Sequence, residues 1–522
     1  MKKKAILLAV FITLSITIFQ GCNSKEQTTS SDDDQVYTYE LNMYVDGVNE
    51  YPNEESEFDK FVREKFKIAF KYDRIPRSNW EQKTNLLFAS GNEPEITTGG
   101  KETNYKQWAS KGYLRDIDVN NGSLENYKNL WSKDEWDIIY EMATSADGKL
   151  YYLPSVRAEK VQMTWVYRKD IFDELGLRFP ETIDQLYTVL KKLKEKYPDK
   201  VILSGGSNSG MSALTGFFQA YWMPELLLRD HSYVDPVTQE FVPYGFATEN
   251  ARKMFITLNK FYKEGLIDQE ILSLTKQQLE ERITNGKTLI MYDYAHNVQT
   301  HNLKTRVVEP NANWEWARNM ITAYPEKGVI FKRDPYYSDW GPAFTTKLTD
   351  KKFERILKYY DWTATEEGQL FTSFGIEGLT YDMIDGKPVF KDHMYDAVKN
   401  PEGKKIQNYG IMSSFTKHPE SIPVERRNTL KEVEETFFDR PQYYFFSPIP
   451  FKFTEEEDKK RVDLELAVND IRDQYFAKFL MNVLDPADDA AWNEYINALK
   501  KVGLDELNKI RTDCYNRIQK QN

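Results

Sequence analysis

Short apolar runs with the composition of strands alternate along this chain with longer helical patterns, and that alternation confines it to the α/β class with mixed sheets. The strand candidates are Tyr37 to Val45, Lys67 to Tyr72, Gln162 to Tyr167, Val201 to Ser204 and Thr288 to Tyr292. Between them, Thr182-Ile183-Asp184-Gln185 spells a capping box. Leu186, Val189, Leu190 and Leu193 follow at helical spacing, and the pattern stops before Pro198. Ala251, Phe255, Leu258 and Tyr262 make a second helical face, ended by Gly265. Phe353, Ile356, Leu357 and Tyr360 make a third, and Trp492, Tyr495, Ile496 and Leu499 a fourth that breaks at Gly503. A body of about 490 residues exceeds one hydrophobic core, so two lobes are expected. No repeat or low-complexity linker separates them, which points to interleaved lobes joined by several crossings.

The N-terminus reads as a processed leader. Lys2, Lys3 and Lys4 precede an apolar and hydroxyl stretch, Ala5 to Ile18, too short for an ordinary spanning helix. Residues 1–21 are therefore expected to be a signal peptide. Phe19-Gln20-Gly21-Cys22 resembles a bacterial lipoprotein processing site, although Phe19 and Gln20 stand where Leu and a small residue are usual. The expectation is a diacylglycerol-modified Cys22; ordinary secretion with an incidental cysteine is the alternative. Two acyl chains hold a protein stably on a membrane where one does not. Residues 22–35 are rich in Ser, Thr, Lys, Gln and Asp and should form a flexible tether. The other cysteine, Cys514, shares a helical face with Leu507 and Ile510 and reads as a buried thiol. With Cys22 acylated, no disulfide is possible.

The net charge of −11 and the lack of a basic stripe argue against a nucleic-acid partner. Aromatic residues make up 14% of a chain that is also 29% charged, and the excess of rings fits a cleft for ring-shaped ligands. Catalytic motifs are absent or broken. Gly206-Ser207-Asn208-Ser209-Gly210 has Asn208 where a nucleophile elbow needs Ser. No His-Glu-x-x-His occurs and the five histidines are scattered, so no metal site is expected. Asp116-Ile117-Asp118-Val119-Asn120 opens like a calcium loop, but Asn121 and Tyr127 occupy the places of its Gly and Glu. No phosphate-cradling loop is present, and no cofactor is expected. Two carboxylates suffice for a glycoside hydrolase, so that class stays open as a rival, as does a surface adhesin or sensor lipoprotein.

Several segments together resemble the family 1 extracellular solute-binding proteins, especially the oligosaccharide-binding lipoproteins of Gram-positive bacteria. They are Leu86 to Ile96 with its Ser90-Gly91 and Pro94-Glu95-Ile96, Leu150-Tyr151-Tyr152-Leu153-Pro154 followed by Trp165 to Asp170, and Phe179-Pro180-Glu181-Thr182. Asn285 to Met291, Thr365 to Gln369 with Phe374 to Gly378, and Trp492 to Leu507 complete the set in the family's order. The resemblance implies a two-lobed, periplasmic-binding-protein-like fold of type II, with lobes joined by several crossings around a ligand cleft. It implies lobe 1 over residues 36–154 plus 333–380 and lobe 2 over 155–332 plus 381–522. It also implies a carrier, not an enzyme. Such a carrier is monomeric and lipid-anchored on the extracellular face of the cell membrane, and it delivers a carbohydrate to the permease subunits of an ABC transporter.

A sugar has apolar faces and a hydroxyl rim, so rings and charged or amide groups on loops after strands are the candidate contacts. Tyr44 and Asp46 end the first strand, and Gly99, Gly100 and Lys101 follow the strand after Pro94, the glycines letting backbone approach a ligand. Arg157 follows the first proposed crossing, Trp222 lies in a Tyr-Trp-Met-Pro segment, and Asp293 and Tyr294 follow the strand from Thr288. Trp340 sits near the return crossing, whereas Trp362 flanks a helix and reads as core.

Overall fold

A computed structural model describes residues 34–45, 54–100, 102–145, 147–156, 163–206, 212–223, 231–235, 237–332, 337–338, 340–394, 424–437, 443–446, 449 and 451–521. The signal peptide, Cys22 and nearly all of the tether lie outside that set. In chain order the strands are β1 (Tyr37–Val45), β2 (Ile68–Pro76), β3 (Ile96–Thr97), β4 (Ser155–Val156), β5 (Met163–Arg168), β6 (Val201–Ser204), β7 (Tyr233–Val234) and β8 (Phe241–Val242). They continue as β9 (Thr288–Tyr294), β10 (Trp314–Trp316), β11 (Val329–Lys332), β12 (Tyr337–Ser338), β13 (Ala343–Phe344), β14 (Tyr381–Ile384), β15 (Lys387–Phe390) and β16 (Tyr443–Phe446).

The five strands expected from sequence are the backbones of two four-stranded sheets, ordered β13-β3-β1-β2 and β10-β5-β9-β6. Both are mixed. In the first, β1 is parallel to β2 and β3 while β13 runs against β3. In the second, β9 is parallel to β6 and antiparallel to β5. The strand read as ending at Tyr72 continues to Pro76, because polar Asp73 and Arg74 pair with Asn42 and Met43 along the full length of β1. Backbone pairing overrides a side-chain pattern there.

Helices start and stop where their caps dictate. Thr182 Oγ1 accepts from Gln185 N, as a capping box requires, but the Gln185 side chain accepts from Glu181 N, one residue outside the N-cap. The reciprocal half of the expected box is thus displaced by one residue. Leu186, Leu190 and Leu193 of the helix Ile183–Lys196 are fully buried, as the spacing requires. The helix Glu249–Lys263 ends at Gly265 with φ +66°, and the helix Asp489–Lys501 ends before Gly503 with φ +106°. Cys514 is buried, and burial pushes its thiol up to about 11, so it stays protonated and inert.

The buried apolar residues form two large clusters. One draws on residues 39–153 and 343–371, and the other on residues 163–321 and 433–507. Each cluster wraps one sheet with helices, so the chain makes two cores and passes between them more than once. Trp362 packs against the first cluster, stacked near Tyr359 and holding Glu367 Oε2 through its indole N–H at 2.9 Å.

Candidate functional site

Strand direction locates the site. In the first sheet β1, β2 and β3 all end at one edge, and β13 begins there at Ala343. In the second sheet β6, β9 and β10 end at the edge where β5 begins at Met163. The outgoing chain leaves the first cluster through Leu153-Pro154-Ser155 and enters the second sheet at Met163. The returning chain comes back through Trp340-Gly341-Pro342 into Ala343. The crossings therefore join the two edges at which parallel strands present their carboxyl ends. Open α/β sheets bind ligands beyond those ends, and a ligand between two bodies is buried by both.

The crossings are built as a pair. β4 and β12 pair antiparallel, Ser155 N donates to Trp340 O at 3.0 Å and Leu153 N donates to Pro342 O at 3.0 Å. A Cβ on Gly341 would stand 1.8 Å from Leu153 O, so only glycine allows this approach. Two tyrosines of the first cluster hold the crossings down. Tyr105 Oη donates to Gly341 O at 2.5 Å, and Tyr127 Oη donates to Pro154 O at 2.7 Å. Burial raises the pKa of both hydroxyls far above the usual phenol, so both remain donors.

Around these crossings the structure gathers part of the expected set. Tyr44 is half-buried at the carboxyl end of β1. Gly99 and Gly100 follow β3, and their missing side chains make room for two rings. A Cβ on Gly99 (φ +96°) would meet Tyr44 Cδ1 at 2.3 Å, and one on Gly100 would meet Tyr105 Cε1 at 2.8 Å. On the Cβ side of both glycines the space is already filled by Tyr44 and Tyr105, so packing alone requires glycine at each position. Below them, buried Asn42 accepts from Trp80 Nε1 and Thr97 Oγ1 and donates to Thr84, each at 3.0 Å. That network fixes the end of β3 and hence the height of Tyr44.

On the other sheet, Asp293 is fully buried. Its carboxylate accepts from Tyr294 N at 2.6 Å and Asn297 Nδ2 at 3.1 Å, and it pairs with His301 Nε2 at 2.7 Å. It shapes the turn after β9 and presents no face of its own. Tyr294 is half-buried and stacks on His296, with ring centroids 5.4 Å apart. Burial lowers the His296 pKa to about 4, which leaves that ring neutral at ordinary pH. Trp340 is half-buried on the return crossing.

Trp222 departs from expectation. It is 2% exposed in a satellite cluster with Tyr233, Val242 and Tyr324, and its Nε1 donates to Gly328 O at 3.3 Å. Its ring is committed to packing, and its backbone makes a left-handed turn at φ +56°. Asp46, Lys101 and Arg157 lie outside the described residues. Sequence reasoning missed Gly341 and Tyr105. The only signal for the first was a glycine between Trp340 and Pro342; for the second there was none.

Two sheets bridged at their carboxyl edges by paired crossings define a two-bodied binding protein, and known proteins of that class share this fold. Alginate-binding protein AlgQ2, solved without calcium ion, matches with a TM-score of 0.73 at 21% identity, covering 92% of this chain and 98% of AlgQ2. Substrate-binding protein FusA of Streptococcus pneumoniae in complex with kestose matches with a TM-score of 0.73 at 17% identity over 93% of this chain and 100% of FusA. Both are periplasmic-binding-protein-like folds, and that is the fold of this chain.

The chain belongs to the bacterial extracellular solute-binding protein family, whose pattern matches residues 51–369. By sequence it is 22% identical to lipoprotein LipO of Bacillus subtilis over 475 residues, 88% of this chain and 87% of LipO. It is 21% identical to the fructooligosaccharide ABC transporter substrate-binding protein FusA of Streptococcus pneumoniae over 558 residues, 98% of each chain. Among the described residues no group of three or more His, Cys, Asp or Glu side chains comes together as a metal ion would need. In the segment that opens like a calcium loop, Asp118 and Asn121 instead accept from the nearby backbone N–H groups of Asn120 and Ser123.

Proposed function

We propose that this protein is a carrier that takes a carbohydrate between the carboxyl edges of its two sheets and delivers it, unaltered, to the permease subunits of an ABC transporter. The observation that carries the reading is the pair of crossings joining those edges, with Trp340, Tyr44 and Tyr294 beside them. Its two bodies are assigned as residues 36–154 plus 333–380 and 155–332 plus 381–522, in keeping with the two apolar clusters. An open form admits the solute, and rotation about the crossings closes the bodies over it. Closure is favoured only by the solute's extra affinity for the closed form. The names of its relatives support a sugar as cargo: FusA is a fructooligosaccharide-binding protein, and MelE of Bacillus subtilis binds melibiose, raffinose and stachyose. Lipid on Cys22 would keep the monomer at the outer face of the membrane, a reading supported by the lipoprotein relative.

Thermal melts against fructo-, galacto- and galacturono-oligosaccharides test the proposal. A true ligand at a hundredfold excess over Kd adds about 2.7 kcal/mol to stability and raises Tm. The sugar must be recovered intact. Shortened products would replace the carrier with a hydrolase, and a panel with no shift at all would remove the carbohydrate.

A further inference from the structure

The first sheet and the helices packed on it do not close completely. A cavity of about 50 Å³ remains between β1, β2 and the helix Asp350–Thr363, and Trp340 of the return crossing forms part of its wall. On this measure one water-sized sphere needs roughly 12 Å³, so the space takes about four heavy atoms. That is a substituent, not a sugar ring. Leu41, Phe58 and Phe70 make much of the lining apolar, while Thr98 brings in the carboxyl end of β3.

The polar groups around the cavity are nearly all committed. Tyr72 Oη donates to Asp59 at 2.8 Å, Thr363 Oγ1 to Tyr360 O at 2.6 Å, and Thr372 Oγ1 to Gly368 O at 2.9 Å. Tyr359 is the exception. Its ring packs on Phe66, Phe70 and Tyr360, yet its hydroxyl makes no hydrogen bond among the described residues. Burial holds that hydroxyl protonated, so Tyr359 offers a donor within a largely apolar lining.

A guest must match that inventory. A hydroxymethyl group can pair with Tyr359 Oη and with the lone pairs of the threonine hydroxyls, but it fills only two of the roughly four heavy-atom places in the cavity. A plain methyl leaves Tyr359 unpaired. An acetyl group carries one apolar carbon and one acceptor-only oxygen, and it has the right size.

We propose, resting on the carrier reading above, that this cavity receives the acetyl group of an acetylated sugar whose ring lies against Trp340. The methyl is covered by Leu41, Phe58 and Phe70, and the carbonyl oxygen accepts from Tyr359 Oη. N-acetyl and O-acetyl groups share this chemistry.

Calorimetric titration of the purified protein with matched pairs tests the inference. One pair is an N-acetylglucosamine disaccharide and its de-N-acetylated form; the other is an O-acetylated xylo-oligosaccharide and its deacetylated form. The expected result is at least about tenfold tighter binding of the acetylated member of one pair, and that pair names the linkage. Tyr359→Phe removes only an unpaired hydroxyl, so Tm should hold while the acetyl preference shrinks about three- to tenfold. Equal affinities within both pairs, beside binding of unsubstituted oligosaccharides, would overturn the inference and leave the carrier intact. Failure of every sugar, acetylated or not, would overturn both.

Discussion

The hydroxyl of Tyr105 donates to the carbonyl of Gly341 at 2.5 Å, tying the return crossing to the first apolar cluster. The same ring stacks on Tyr152 of the outgoing segment, with centroids 4.6 Å apart. One side chain thus positions both crossings. Tyr105→Phe keeps the stack and deletes the bond, leaving a buried carbonyl short of its donor. Urea denaturation should show a loss of about 1–3 kcal/mol; an unchanged midpoint would deny the bond any role.

Gly341→Ala acts more severely at the same place. Its Cβ would lie 1.8 Å from Leu153 O, and backbone cannot yield as a flexible side chain can. The crossings must part, costing about 2–4 kcal/mol. Small-angle scattering should show a changed average separation of the bodies, and an unaltered profile with wild-type Tm would contradict the pairing.

Glu465 lies between two buried guanidinium groups, accepting from Arg461 Nη1 and Arg511 Nη2, both at 2.7 Å. Burial works to raise its pKa, but the two arginines outweigh it and the carboxyl sits below the usual range. Glu465→Ala leaves the fully buried Arg511 without a carboxylate, while Arg461 keeps Asp458, and should cost about 3–5 kcal/mol in a denaturant melt. A loss under about 1 kcal/mol would mean that water reaches the pair.

Acid should act in two windows. The His296 pKa falls from 6.5 unfolded to about 4 folded, chiefly through burial. The ring is half-buried by area, yet its Nδ1 is sealed off without a partner among the described residues, and that is why charging it is costly. Its contribution is complete above pH 6.5 and lost as pH falls toward 4, about 2 kcal/mol after allowance for its wetter edge. Glu465 follows at lower pH, since its folded pKa lies under the ordinary carboxylate value. His296→Gln should flatten the stability profile between pH 6.5 and 5 while leaving the more acidic loss in place.

Trp340→Ala tests the cleft itself. The ring is half-buried, so its loss should lower Tm by only a few degrees, about 1 kcal/mol. Affinity for the carried sugar should fall at least about tenfold. Unchanged affinity would show that the solute binds elsewhere.

Much of the fold was legible because periodicity and caps are local. The buried faces of the helices Ile183–Lys196 and Glu249–Lys263, and the strands β1 and β6, follow from spacing alone. The site was legible only in part, because its makers act at long range. Tyr105 and Gly341 are 236 residues apart, and no pattern near either announces the other. Trp222 misled for a related reason: a ring beside turn residues looks free until the distant Tyr233, Tyr324 and Gly328 close over it. The glycines at 99 and 100 were placed at a strand end, but the neighbouring rings of Tyr44 and Tyr105 that demand them could not be read from the sequence.

The direction of β1 has a last consequence. Polypeptide enters that strand at Tyr37 and runs nine residues, eight rises or roughly 26 Å, to Val45 beside the crossings. Any leash fastened upstream of Tyr37 therefore pulls from the pole remote from the mouth, so that a moored molecule keeps its opening turned away from its own rope.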